Sequence, residues 1–248
     1  MNTIYILWLR QIKRYLRSKS RIIGSLGQPI LFLVALGFGF GPIFRRAGGG
    51  NYLQFLAPGI IAQGILFTAT FSGVEMIWDR QFGFLKETLV APVSRFNIML
   101  GRTLGGATIA MFQGFIIFLL SLVVGFRPVS FLGILLSSIP IFLIALFFTG
   151  LGTAIASTLD DFHGFQMIMN FLVMPLFFLS GALFPLDGLP KFIKILSYIN
   201  PLTYGVEGLR TTLINNAHFA LSTDILVLGS LSLLILSIGS YLFSKIQV

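Results

Sequence analysis

Six long apolar stretches separated by short polar connectors fill the chain between Arg21 and Val248. A helical span needs about 20 apolar residues to cross a hydrocarbon core about 30 Å thick. Backbone amides in lipid must also be satisfied within the segment itself, so stretches of this length are read as membrane helices. They fall at roughly 22–44, 52–78, 98–125, 129–157, 164–185 and 221–243, with ends uncertain by a few residues. Hydrophobic residues make up 56% and charged residues 10% of the 248, against about 25% charged in a soluble domain. A soluble fold is excluded, and six spans with short connectors leave no length for a separate soluble domain. The expected architecture is an all-α integral membrane protein with one membrane domain over residues 22–248. Cysteine is absent, which removes disulfides, thiolate metal sites and a cysteine nucleophile from consideration.

The formal charge of +9 would hint at nucleic acid in a soluble protein, but here its placement reports orientation in the membrane. Residues 1–21 are amphipathic at helical period. Ile4, Trp8, Ile12 and Leu16 recur every four residues, and Arg10, Lys13, Arg14, Arg17 and Arg21 take the other side. Such a helix is expected in the headgroup plane with its cations on anionic lipid; the plainer reading is a positive flank that orients the first span. With no A-x-A-like site after the first span, a removable signal peptide is not expected. Placing the N-terminus inside puts eleven Lys/Arg on the cytoplasmic side (six before the first span, then Arg80, Lys86, Arg95, Arg102 and Lys245). Six remain outside: Arg45, Arg46, Arg127, Lys191, Lys194 and Arg210. That is the positive-inside bias, and an even number of spans leaves both termini cytoplasmic.

Two connectors carry most of the remaining information. Residues 186–220 are too polar and too broken to span. Pro190 and Pro201 stand where helices can start, and Ile193, Leu196 and Ile199 mark an apolar face, so two short helices dipping into the outer leaflet are expected over about 186–216. Residues 79–96 place Phe84, Leu85, Thr88 and Leu89 at helical spacing beside Lys86 and Glu87, with Pro92 closing the segment. This amphipathic cytoplasmic helix either docks in a partner's groove or lies on lipid. Gly37 and Gly41, and Gly101 and Gly105, form GxxxG pairs, which mark close helix contacts or arise by chance in glycine-rich apolar sequence.

Chemistry of its own is hard to find in the chain. No G-x-x-x-x-G-K-[ST] occurs, and the nearest glycine cluster, GRTLGGAT at 101–108, lacks the phosphate-binding lysine. If ATP drives this protein, another chain binds it. There is no G-x-S-x-G and no H-E-x-x-H, and no catalytic residue or metal ligand is expected. Asp160, Asp161 and His163 read as a solvated turn rather than a metal site. Glu75 and Arg102, near the inner ends of spans two and three, are expected to snorkel or to pair with each other.

Four segments, LAPGIIAQ (56–63), FGFLKETLVAPVSRF (82–96), FFLSGALFPLDGLPKFI (177–193) and INPLTYGVEGLR (199–210), occur in an order and spacing similar to those of permease subunits of type-2 ATP-binding-cassette exporters. That family includes daunorubicin-resistance-type drug permeases and polysaccharide exporters, and the resemblance runs nearly end to end. It implies a six-span subunit of the inner (plasma) membrane. The subunit pairs with a second copy or a related permease, contacts lipid, and engages cytoplasmic ATPase subunits that carry the ATP and magnesium; no cofactor sits on this chain. The N-terminal helix would be the interfacial helix. The segment about 80–94 would be the coupling helix, with Gly83, Phe84, Leu85, Lys86, Glu87, Thr88 and Pro92 at its core and Phe84, Leu85 and Thr88 as the contacting knobs. Pro185, Pro190, Pro201, Tyr204, Glu207 and Arg210 would belong to the outer re-entrant roof, with Glu207 and Arg210 an i, i+3 pair that stabilises a helix. Spans two and five, lining the dimer interface in the family, would present Phe67, Phe71, Met167, Met174, Phe177 and Phe178 to an amphiphilic or hydrophobic cargo. Export of a lipid-linked saccharide and ion-coupled carriage remain the alternatives, the latter weakened by the scarcity of midplane charge. A lipid-modifying enzyme finds no converging Ser, His or acid set.

Overall fold

The computed structural model describes residues 3–48, 50–90, 92–216 and 218–245, apart from the side chains of Lys86 and Leu89. Every regular element among them is helical. The chain opens with α1 (Thr3–Arg17) and α2 (Lys19–Arg46), and returns through α3 (Tyr52–Phe71) and α4 (Val74–Gln81), which form one nearly continuous rod. The short α5 (Phe84–Val90) leads into α6 (Arg95–Val124). Next come α7 (Phe131–Leu136) and α8 (Ser138–Ser157), again one rod, then α9 (Phe162–Phe178), α10 (Lys191–Ile199), α11 (Pro201–Ile214) and α12 (Leu221–Ser244).

Helix starts are set by side chains that take the free amides of the first turn. Asn51, Ser94, Ser130, Asp161 and Asn200 each accept a backbone N–H from the helix they precede, and Pro201 follows at the first helical position of α11, where its missing N–H costs nothing. Among the described residues five rods are long and apolar enough to cross a membrane: α2, α3–α4, α6, α7–α8 and α12. The fifth apolar stretch differs from the span expected over 164–185. Its helix α9 stops at Phe178 after 17 residues, because Ser180 and Gly181, the latter at φ 74°, turn the chain back.

At the centre lies α3, wrapped by α2, α6, α8 and α11, with Leu56, Ile60, Ile61, Ile65 and Leu66 fully buried. Packing gives the bundle two ends. At one end Leu7 of α1, Val74 and Ile77 of α4, Leu85 of α5, Phe165 of α9 and Phe243 of α12 form a second apolar cluster. At the other, the Tyr52 hydroxyl donates to the Leu183 carbonyl at 2.8 Å and the Val129 amide donates to Leu213 O at 2.9 Å, tying the three far connectors together. The start of α1 and the last turns of α12 therefore share an end.

The buried face of α1 is Leu7, Gln11 and Tyr15, which packs lengthwise against α6; of the stripe read from the sequence, Ile4, Trp8 and Ile12 are partly covered and Leu16 is exposed. Gly101 and Gly105 make this possible: a Cβ on Gly105 would stand 2.7 Å from Gln11 Cβ, and one on Gly101 3.0 Å from Ile4 O. Of the two GxxxG pairs this one is a contact along its whole length, whereas a Cβ on Gly41 would meet nothing.

Candidate functional site

The α1 end carries the most polar architecture. Gly83, at φ 80°, makes the turn between α4 and α5, a backbone conformation that side-chain-bearing residues rarely adopt. The short helix then seats Leu85, 0% exposed, in the second apolar cluster. Leu85 is thus the anchor of α5, and the structure corrects its reading as a contacting knob. Phe84 is not free either, since the Arg10 guanidinium lies 3.7 Å from its ring centre. Thr88 turns its hydroxyl back onto the Phe84 carbonyl at 3.0 Å. What α5 and its flanks leave uncovered is Phe82, at 83% exposure, Val90, at 86%, and Glu87 and Pro92. The Lys86 side chain, assigned to the same surface from the sequence, lies outside the described residues.

Beneath α5 the acids of α4 meet a ladder of arginines. Glu75 and Asp79, four residues apart, share one helix face. Arg10 grips Asp79 through two parallel hydrogen bonds of 2.8 and 3.0 Å, and Arg102 of α6 lies 2.7 Å from the same carboxylate. Glu75 is held by Arg21 at 2.6 Å, with Arg14 at 3.9 Å. The direct partner of Arg102 is therefore Asp79, and the expected Glu75–Arg102 pair gives way to Glu75–Arg21. The hydrogen bond to Asp79 holds Arg10 above its ordinary basicity. On the far side of α4, Arg80 pairs with Asp160 and donates to the Leu159 and Ser157 carbonyls at 2.9 and 3.2 Å, closing the C-terminus of α8. Asp161 spends its carboxylate on the Gly164 amide at 2.7 Å as the cap of α9. Hence α5 is joined to α1 through Arg10 on Phe84, α1 and α6 to α4 through Asp79, and α4 to α8 through Arg80.

The proposed path residues fall into two groups. On α9 the chain covers Phe165, Met169, Val173 and Phe177 on one stripe and leaves Met167, Phe171, Met174 and Phe178 uncovered on the other. Phe177 belongs to the core, stacked 6.4 Å from Phe32, which removes it from any lining in this conformation. Phe67 and Phe71 of α3 are half-buried and nearly parallel at 6.4 Å, and Phe71 meets Phe165 edge-on at 6.3 Å.

At the far end Arg210 does more than brace one helix. It donates to Glu207 at 3.2 Å and to the Gly181 carbonyl at 2.8 Å, and lies 3.9 Å above the Phe55 ring, so it ties α11 to α3 and to the turn after α9. Burial lowers its pKa to about 10, which leaves it charged at neutral pH. Glu207 also accepts the His218 amide at 2.7 Å, and the Tyr204 hydroxyl donates to the Tyr198 carbonyl at 2.8 Å. Pro190 and Pro201 open α10 and α11, and Pro185 lies in the turn before them.

Sequence reasoning missed Asp79 as a hub, Gln63, and Asp224, whose buried carboxylate occupies the first turn of α12. The signal for the first was present. Acids at 75 and 79 repeat every four residues, and arginines at 10, 14 and 21 repeat every four and seven, two complementary ladders at helical period. Gln63 stood out only as a lone polar residue inside an apolar run, and Asp224 only as the last of the polar residues Ser222, Thr223 and Asp224 before one.

Five rods long and apolar enough to span among the described residues, a buried central helix and two polar ends define a multi-pass helical membrane protein. The chain belongs to the ABC-2 type transporter family, whose description matches residues 2–214. It is 32% identical over 260 residues to ycf38, named a transport permease, of Cyanophora paradoxa, covering 98% of this chain and 88% of that protein. It is 28% identical to the inner membrane transport permease YadH of Escherichia coli, over 82% of this chain and 80% of that one. Nodulation protein J of Sinorhizobium fredii is 27% identical, over 84% and 80%. Its role is that of a transport permease.

Proposed function

We propose that the chain is the membrane subunit of an ATP-driven exporter of the inner (plasma) membrane, working as a dimer with a second copy or a related permease. In this reading the α1 end faces the cytoplasm, consistent with the excess of Lys/Arg there, and α5 docks into separate ATPase subunits. The cargo is amphiphilic or hydrophobic, and α9 forms the fifth of six spans, beside the path. The observation that carries the reading is α5 itself: a short helix anchored from below by Leu85 that offers Glu87 and Val90 outward, with Phe82 exposed in the turn before it. The chain around it belongs to a transporter family and has no phosphate-binding loop of its own.

Such a helix converts ATPase closure into movement of the bundle. A push on α5 reaches α1 through the Phe84–Arg10 stack, α4 and α6 through Asp79 and Arg102, and α8 through Arg80. Charge on Glu87 steers docking more than it strengthens it. The test is recovery of ATPase activity with the tagged protein from cells expressing its natural neighbours. Wild type brings down an ATPase; Val90→Asp and Glu87→Arg lose about tenfold or more of it while melting at the wild-type temperature, because neither side chain is packed within the chain. Wild type that recovers no ATPase, or variants that recover it fully, would overturn the assignment. Leu85→Asp has no value in this test, since it breaks the fold first.

A further inference from the structure

At the far end of the bundle, between α2 and the turn after α9, an apolar groove of about 430 Å³ opens on the flank of the molecule. Leu36, Phe40, Ile43 and Ala47 recur every three or four residues along α2 and form one wall, and Tyr52 and Phe178 stand in the other. Phe40, Ile43 and Phe178 remain exposed, so the groove is open along its side. The Tyr52 hydroxyl is already spent on the Leu183 carbonyl at 2.8 Å. Because α2 is long and apolar enough to span, and little of it is covered by the rest of the chain, this opening faces hydrocarbon.

Length and charge select what fills it. From Leu36 to Ala47 the wall measures about 16 Å at 1.5 Å per residue, half of a hydrocarbon core of about 30 Å. The groove is therefore one leaflet deep. It goes no deeper, because one turn further down the same face Leu33 is fully buried and Phe32 stacks on Phe177 at 6.4 Å. A neighbouring span would need a seat running the length of α2, whereas an acyl chain needs only this half. At the mouth, Arg45 and Arg46 end the helix that forms the wall. Both are exposed, and neither guanidinium has a hydrogen-bonding or ion-pair partner among the described residues. Cations at a helix C-terminus complement its dipole, and here they also stand at headgroup depth, where a phosphate can meet them. Asp187, two residues past Pro185, does not cancel them, since His218 Nε2 faces it at 3.3 Å and Lys194 at 4.0 Å. We infer that the groove is a site for one anionic phospholipid of the adjoining leaflet, with an acyl chain lying from Ala47 to Leu36 and the phosphate on Arg45 and Arg46. A zwitterionic lipid brings the same chain but carries a cation beside its phosphate, so headgroup charge sets the preference.

The experiment is native mass spectrometry of the full chain, delipidated in mild detergent and titrated with dioleoyl phosphatidylglycerol or dioleoyl phosphatidylcholine, with melting curves on the same samples. One phosphatidylglycerol per chain is expected to bind saturably, about tenfold or more tighter than phosphatidylcholine, and to raise the melting temperature. Replacing both arginines, Arg45→Gln with Arg46→Gln, should remove the preference and the shift while leaving the lipid-free melting temperature unchanged, because both side chains are exposed. Ile43→Trp fills the groove from an exposed position and keeps both charges, and it should weaken binding of both lipids. Equal affinity of wild type for the two lipids, a preference that survives the loss of both arginines, or full binding to Ile43→Trp would each overturn the assignment. So would lipid binding that falls as the dimer fraction rises, which would seat a second copy in the groove.

Discussion

Asp79 is the residue on which the α1 end turns, because a single buried carboxylate holds Arg10 of one helix and Arg102 of another. Arg102 is 3% exposed, so bulk solvent does not stand ready to replace a lost partner. Removing one member of a buried pair costs about 3–5 kcal/mol, mostly from the charge left behind. Asp79→Asn is therefore expected to lower the melting temperature in detergent sharply, and Arg102→Met to lower it less, since Asp79 then keeps Arg10. The double variant should be more stable than Asp79→Asn alone; equal stability would show that the two charges are not coupled. The acids and arginines were all legible in the sequence, and so was their helical spacing. Which acid meets which arginine was not, because the pairing depends on how α1 lies along α6, and no local pattern encodes that. The same limit misplaced Leu85: helical spacing puts it on an apolar face with Phe84 but cannot say which part of that face the chain itself covers.

At the scale of elements, local rules found the helices and missed their neighbours. Pro190 and Pro201 stand where α10 and α11 begin, and Gly83 where α4 gives way to α5. An amphipathic period on α1 was plain, but amphipathicity shows only that one face is covered, not whether lipid or protein covers it. Here the deciding feature is on the other helix, where Gly101 and Gly105 let α1 approach closely enough for the Trp8 indole to donate to Thr108 at 3.0 Å. Gly105→Val should wedge the pair apart, since the Gln11 stem has no room beside a new side chain. The expected readout is a red shift of Trp8 emission, measured in a Trp78→Phe background so that Trp8 is the single fluorophore, as α1 loosens and the indole loses its partner. An unchanged spectrum together with an unchanged melting temperature would mean that α1 does not depend on that contact.

For the whole molecule, hydropathy located the apolar stretches, and the two-ended arrangement of connectors agrees with the alternation of spans. Hydropathy does not register backbone conformation, however, so LSGALFP read as the end of a span although Ser180 and Gly181 fold it into a turn. That shortfall bears on assembly. At 1.5 Å per residue, the 17 residues of α9 reach about 25 Å, short of a hydrocarbon core of about 30 Å, and the turn that follows is buried, its backbone groups taken by Ser180, Arg210 and Tyr52. What the chain leaves uncovered is the apolar stripe Met167, Phe171, Met174 and Phe178, which runs directly into that turn. A second copy packed there would cover the stripe of the short helix, and would bring two such stripes together beside Phe67 and Phe71. Because the chain has no cysteine, a single engineered thiol reports this without background. Phe171→Cys, at a position 84% exposed, is expected to form a crosslinked dimer with a short bismaleimide in lipid, and to do so after dilution into excess lipid has removed chance encounters. Leu226→Cys, 72% exposed on α12, should remain monomeric under the same conditions. The opposite pattern would place the seam on α12 and leave the α9 stripe to lipid.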